Sequence, residues 1–148
     1  MSDVTDEINA LFFAAWKAGS SAIVGYIPEI RWQGIQYRDI PDGSKFWCRF
    51  SKQTVSEPQA TLSNCVTSPG NKRYNNYGLV FIQIFCPKSN AKSFELGKQL
   101  AVLARNAFRG KSTDSSIWFR NVRIKELNPE ELYERFNVVA EYEFDEIG

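Results

Sequence analysis

The stretch YGLVFIQIFCPKS, Tyr77 to Ser89, carries the apolar run on which the reading of the fold turns. A strand with one wet face alternates apolar and polar residues. Here one set of alternate positions is Val80, Ile82, Ile84 and Cys86, and the other is Leu79, Phe81, Gln83 and Phe85, so only Gln83 interrupts the apolar surface. Such a strand needs protein on both faces and belongs at the centre of a sheet.

Downstream, SNAKSFELGKQLAVLARNAFRG supplies Ser89 or Asn90 as a cap and an apolar stripe through Phe94, Gly97, Leu100, Ala101, Ala104 and Phe108. Arg105, Arg109 and Gly110 end it as cations and glycine commonly end a helix. Joined to the strand by PKS, this helix can fold back over one sheet face.

Upstream, Val4, Ile8, Leu11, Phe12 and Ala15 stand at helical spacing, with Asp3, Asp6 and Glu7 at the positive end. The spacing predicts a first helix over about Ser2 to Ala18, stopping at Gly19. Pro28 and Pro41 forbid a long helix in the next segment, Ile30 and Trp32 suit a short strand, and PDG makes a turn. KFWCRFSKQTV alternates Phe46, Cys48 and Phe50 against Trp47, Arg49 and Ser51, the pattern of a half-buried strand. Ser56 to Asn76 is rich in Ser, Thr, Asn, Pro and Gly, with a weak strand signal around Ala60 to Leu62. It reads as a long, functional or mobile loop.

After the second helix, Val122 and Ile124 alternate with Arg123 and Lys125, and NPEEL makes a turn. A last strand then sets Phe136, Val138, Ala140, Tyr142 and Phe144 against Arg135, Asn137, Glu141 and Glu143, completing an antiparallel pair. The expected fold is α+β: one domain spanning 1–148, with an antiparallel or mixed sheet of four to five strands packed with two main helices. Helix one, the long loop or another copy of the chain could cover the second face of the central strand, and a subunit interface is expected for part of it.

With 43% hydrophobic and 14% aromatic residues the chain is too apolar for disorder, and 24% charged residues interrupt any membrane span. The acidic opening MSDVTDEINALFFAAWKAG lacks the features of a secretory signal or transit peptide, so folding in a cytoplasm is expected. Lys and Arg number 18 against 17 Asp and Glu, a net charge of +1 without a block of like sign to grip phosphates, so neither nucleic-acid nor membrane binding is expected. Cys48, Cys65 and Cys86 are odd in number and widely spaced, which suits reduced thiols rather than a disulfide framework or metal site.

The chain contains no histidine, which removes the commonest general base and the Cys-His and Ser-His nucleophile pairs. Cys48 and Cys86 fall in apolar strands and read as small buried hydrophobes, while Cys65 stands in the polar loop. The acidic stretches NPEELYE and EYEFDE read as solvated faces, and no phosphate-binding glycine motif occurs. Trp32, Trp47, Trp118, Phe119 and Tyr74 with nearby arginines could be a stacking platform for single strands. Each arginine abuts an aromatic in sequence, however, and adjacent strand residues face opposite ways. Core and interface aromatics are the simpler reading. No catalytic residue, cofactor site or metal site is expected.

The order of these elements resembles the tail terminator-like proteins of long-tailed bacteriophages across nearly the whole chain. The likeness rests on the amino-terminal helix, then EIRWQGIQYRDIPDGSKFWCRF as a short strand and proline loop leading to a long strand. TLSNCVTSPGNKRYNNYGLVFIQIFCPKSNAKSFELGKQLAVLARNAF follows as variable loop, strand and helix, and VRIKEL with ERFNVVAEYEF as the closing strand pair. CPKSNAK departs from it, since the family often has glycines there. The resemblance implies a non-enzymatic virion protein, assembled in the host cytoplasm. Its hexameric ring would sit on the last ring of tail tube protein, end tube growth and offer a surface to the head-tail connector or neck protein. Another head-tail connector or tube component is the alternative, and a small enzyme or nucleic-acid module a more distant one. The loop residues Lys72, Arg73 and Tyr74 are the expected partner contacts, because Arg and Tyr are enriched in tight interfaces.

Overall fold

A computed structural model of the chain describes residues 4–56, 73–109, 117–130 and 132–147, with side chains described over 6–53, 77–109, 117–130 and 132–144. The elements are α1 (Val4–Val24), β1 (Glu29–Trp32), β2 (Trp47–Ser56), β3 (Arg73–Pro87), α2 (Ser93–Phe108), β4 (Ile117–Leu127) and β5 (Tyr133–Ile147). They form an α+β fold around one five-stranded sheet in the order β1-β2-β3-β5-β4. β1 runs parallel to β2 and every other pairing is antiparallel, so the sheet is mixed and β3 is central.

α1 is longer than its sequence suggests. Gly19 lies inside the helix, and a Cβ there would stand 2.7 Å from Leu103 Cδ1, so this glycine permits close approach of the two helices and does not end the first. The end comes at Gly25, whose positive φ of 86° suits glycine and whose N–H donates to the Ser21 carbonyl at 2.9 Å. Trp16 Nε1 then donates to the Pro28 carbonyl at 3.0 Å, tying the helix to the segment entering β1.

The start of α2 also differs. Neither Ser89 nor Asn90 caps it: the N-cap position is Lys92, without a side-chain cap, and Asn90 Oδ1 accepts the Lys92 N–H at 2.8 Å in the preceding turn. The expected stripe is buried at Gly97, Leu100, Ala101, Ala104 and Phe108. Phe94 remains 48% exposed while its ring meets Phe136 at 5.2 Å.

Both helices cover the same sheet face. Ile8, Phe12 and Trp16 of α1 and Leu100, Ala104 and Phe108 of α2 close over Phe50, Val80, Ile82, Ile84, Phe136 and Val138 in one core. Phe12 is its hub, with ring centroids 5.0 Å from Phe50, 5.3 Å from Trp16 and 6.2 Å from Phe108. A Phe or Ile buried this way contributes about 1.5–3 kcal/mol of apolar transfer. Helix one is therefore not the cover of the second face. That face of β3 carries Leu79, Phe81, Gln83 and Phe85, as the alternation requires.

β3 starts at Arg73, four residues before Tyr77, so Arg73 to Asn76 are strand and not loop. They pair with Phe144 to Ile147 of β5, beyond the last described β2 partner, Ser56 opposite Tyr77. Ser56, the expected first residue of the loop, ends β2, and residues 57–72, with Cys65 and the Ala60 to Leu62 signal, lie outside the described residues.

Candidate functional site: the open face of the sheet

The sheet register arranges the second face in rows that cross the strands. One row runs Trp47, Phe85, Arg135 and Leu127; the next runs Arg31, Arg49, Gln83, Asn137 and Lys125; a third runs Ser51, Phe81, Val139 and Arg123. A polar row through all five strands is thus bordered by two more apolar ones.

At one end Trp47, Phe85 and Tyr133 make a separate buried cluster. Trp47 and Phe85 stack with centroids 4.0 Å apart and 3° between planes, and Tyr133 meets Phe85 edge-on at 5.6 Å. The Arg49 guanidinium lies 5.7 Å from the Trp47 ring and 5.6 Å from the Phe85 ring, within cation–π range. Arg31 is 7% exposed, stacks on Tyr37 at 4.6 Å, donates to the Asp39 carbonyl and pairs with Glu29 at 3.3 Å and Asp39 at 3.4 Å. A groove of about 520 Å³ lies over this end, lined by Ile40, Pro41, Trp47, Arg49, Leu132 and Tyr133 among others. Its rim is apolar and wet, with Ile40 90% and Leu132 61% exposed.

At the other end the acids are neutralised in place. Between Arg120 and Arg123 the β4–β5 register slips by one residue, with Asn121 at a φ of 50°, a left-handed conformation that Asn tolerates. Residues three apart on a regular strand face opposite ways. The bulge puts both arginines on this face, where Arg123 reaches Glu141 at 3.2 Å and Arg120 reaches Glu143 at 3.5 Å. Asn121 Nδ2 also donates to Glu141, at 3.0 Å. Glu141 and Glu143 are accordingly half-buried ion-pair partners, not freely solvated side chains.

In the middle, Arg49 and Lys125 are exposed and have no carboxylate partner among the described residues. Asn137 Oδ1 is buried without a hydrogen-bond partner, and the Gln83 amide has none among the described residues. Buried polar atoms in folded proteins are almost always satisfied, so this Asn137 oxygen is an exception, and it lies beneath the surface of the row.

Of the expected contacts, Lys72 lies outside the described residues. Arg73 and Tyr74 open β3, their backbones opposite Ile147 and Glu146, at the end of that strand far from the Phe85 cluster. The arginine–aromatic stacks were legible in part: Trp47 and Arg49 are two apart on one strand and so share a face. Cys48 and Cys86 are buried free thiols. Burial, then the nearby Glu134 carboxylate, pushes the Cys86 thiol up to about 12; burial and Glu29 push Cys48 further up. Neither is a thiolate nucleophile at neutral pH. Among the described residues no group of three or more Cys, Asp or Glu could hold a metal ion, and no helix is long and apolar enough to cross a membrane.

No protein-family model and no curated protein matches the chain. A solved structure without a functional name is similar at a TM-score of 0.65 and 12% identity, over 97% of this chain and 96% of that one. At that identity the likeness speaks for the fold alone.

Proposed function

We propose that the protein is a structural subunit of a long-tailed bacteriophage virion, whose hexameric ring caps the tail tube, ends its polymerisation and presents a surface to the neck. The observation that carries this reading is the one-sided cover of the sheet. Both helices pack on one face, while central-strand residues Leu79 and Phe81 on the other stay half-exposed and Trp118 is 43% exposed. Apolar side chains there suit a neighbouring subunit, and a head-to-tail contact that closes gives a ring. The element order, from helix through short strand and long strands to the closing strand pair, supports the same reading through its likeness to tail terminator-like proteins.

Light scattering on the purified protein, alone and on tail tubes, distinguishes a hexamer from a monomer. Added to polymerising tube protein, the wild type is expected to limit tube length, and Lys72→Glu with Arg73→Glu to weaken capping without unfolding the chain. Tubes of equal length with and without the wild type exclude the cap, while undiminished capping by the double variant excludes only that contact.

A further inference from the structure

We infer that the polar row across the open face is a docking stripe for an extended acidic segment of a partner protein, with carboxylates four residues apart. The chemistry starts from Arg49 and Lys125. Both are exposed, both face the same side, and neither has a carboxylate partner among the described residues, whereas Arg31, Arg120, Arg123 and Arg135 are each paired. Between the two cations stand Gln83 and Asn137, opposite each other, with amide groups lacking partners.

The spacing selects the ligand's conformation. Arg49 on β2 and Lys125 on β4 are three inter-strand steps apart, through β3 and β5, or about 14 Å at about 4.8 Å per step. An extended chain rises about 3.3 Å per residue and returns to the same side every second residue, so residues i and i+4 stand about 13 Å apart on one side. Carboxylates at those positions meet Arg49 and Lys125, and a polar residue at i+2 meets the Gln83 amide, beside Asn137. On a helix the same two carboxylates are only about 6 Å apart and cannot span the row. The Arg49 guanidinium lies beside the Trp47–Phe85 stack, 5.7 and 5.6 Å from the two ring centroids, and a guanidinium can pair with a carboxylate through two N–H groups at once. Phe85 and Trp47 on one side of the row and Phe81 and Val139 on the other shield these polar contacts from water.

The test is a titration of isotopically labelled full-length protein with the capped peptide Glu-Ala-Ser-Ala-Glu, followed through side-chain amide resonances. The Gln83 and Asn137 amides are expected to shift most. Arg49→Gln and Lys125→Gln, both exposed substitutions that preserve the fold, are each expected to weaken binding by up to about fivefold at low salt. Raising salt to ~0.5 M should erase most of that difference. A peptide with Gln at both acidic positions, or with the acids three apart so that they face opposite ways, is expected to bind more weakly than the parent. Equal binding of either control, shifts elsewhere on the protein, or unchanged binding by both variants overturns the proposal. So do concentration-dependent shifts of the same two amides without peptide, since a second copy then fills the row. Solution mass and tube length report on the ring and the amide shifts on the row, so a neighbouring subunit found in the row would uphold the ring while overturning this proposal, and the two failures are distinguishable.

Discussion

On the helix side of β3, Val80, Ile82, Ile84 and Cys86 are wholly excluded from solvent; on the other side of the same strand Leu79 and Phe81 remain half-buried, and Phe85 is closed over by Trp47 and Tyr133. The two sets are nearly equal in apolar content, so hydrophobicity along the strand does not decide burial. What decides it is where the helices land. α2 returns over the face toward which the short turn after Pro87 directs it, and α1 follows because Gly19 accepts Leu103. Among the described residues the second face has local devices: an aromatic stack, a bulge that gathers arginines around glutamates, and a polar row whose Arg49 and Lys125 have no carboxylate partner.

The contrast can be broken most directly by truncating one phenylalanine on each side. Phe12→Ala removes the hub of the covered core and is expected to cost about 3–5 kcal/mol in urea unfolding. Phe81→Ala, on the open side, should cost about 1 kcal/mol, because its ring already meets water in the folded chain. Equal costs would mean that the second face is as closed as the first.

A smaller effect tests how dry the covered face is. The folded-state values of the Cys48 and Cys86 thiols are raised, so the unfolded chain ionises first as pH rises past the ordinary value of 9.0. The folded state then binds more protons than the unfolded, and stability must fall with rising pH. Stability present below pH 9 is therefore expected to decline by up to about 1.4 kcal/mol per pH unit per thiol, until about pH 12 for Cys86. Cys48→Ala with Cys86→Ala should flatten that alkaline slope, and alkylation of native protein at neutral pH should be slow at both positions. A slope unchanged by the double variant would mean that water reaches these thiols.

The smallest effect belongs to the open face. Glu141→Gln removes the carboxylate shared by Arg120, Arg123 and Asn121, with Glu141 at 30% side-chain exposure. Its loss is expected to cost at most about 1 kcal/mol and to shrink in high salt, as solvated pairs do. A larger, salt-independent loss in chemical denaturation would show that the bulge depends on this network for its geometry.

Period-two alternation made the strands legible, because Val80 to Cys86 and Phe136 to Phe144 must each share a face whatever surrounds them. The stripe from Gly97 to Phe108 likewise had to be one helix face. The end of α1 was not legible, because a glycine reads the same whether it ends a helix or lets another helix approach. The start of β3 was not legible because Asn75 and Asn76 disfavour a strand and the segment from Arg73 to Asn76 becomes strand through pairing with β5.

The sequence by itself determined the α+β class, the central place of β3, the sidedness of its regularly alternating strand runs and the want of a histidine-based mechanism, since these follow from residue type and period; the bulge that turns both Arg120 and Arg123 to one face does not. Only the tertiary structure decided which face both helices would take, and which residues would stand in one row across the sheet. Arg31, Arg49, Gln83, Asn137 and Lys125 come from five strands spread over most of the chain, and strand order and register alone bring them together. A single strand specifies which way a side chain points; its neighbours across the sheet are set by the pairing of strands distant in sequence.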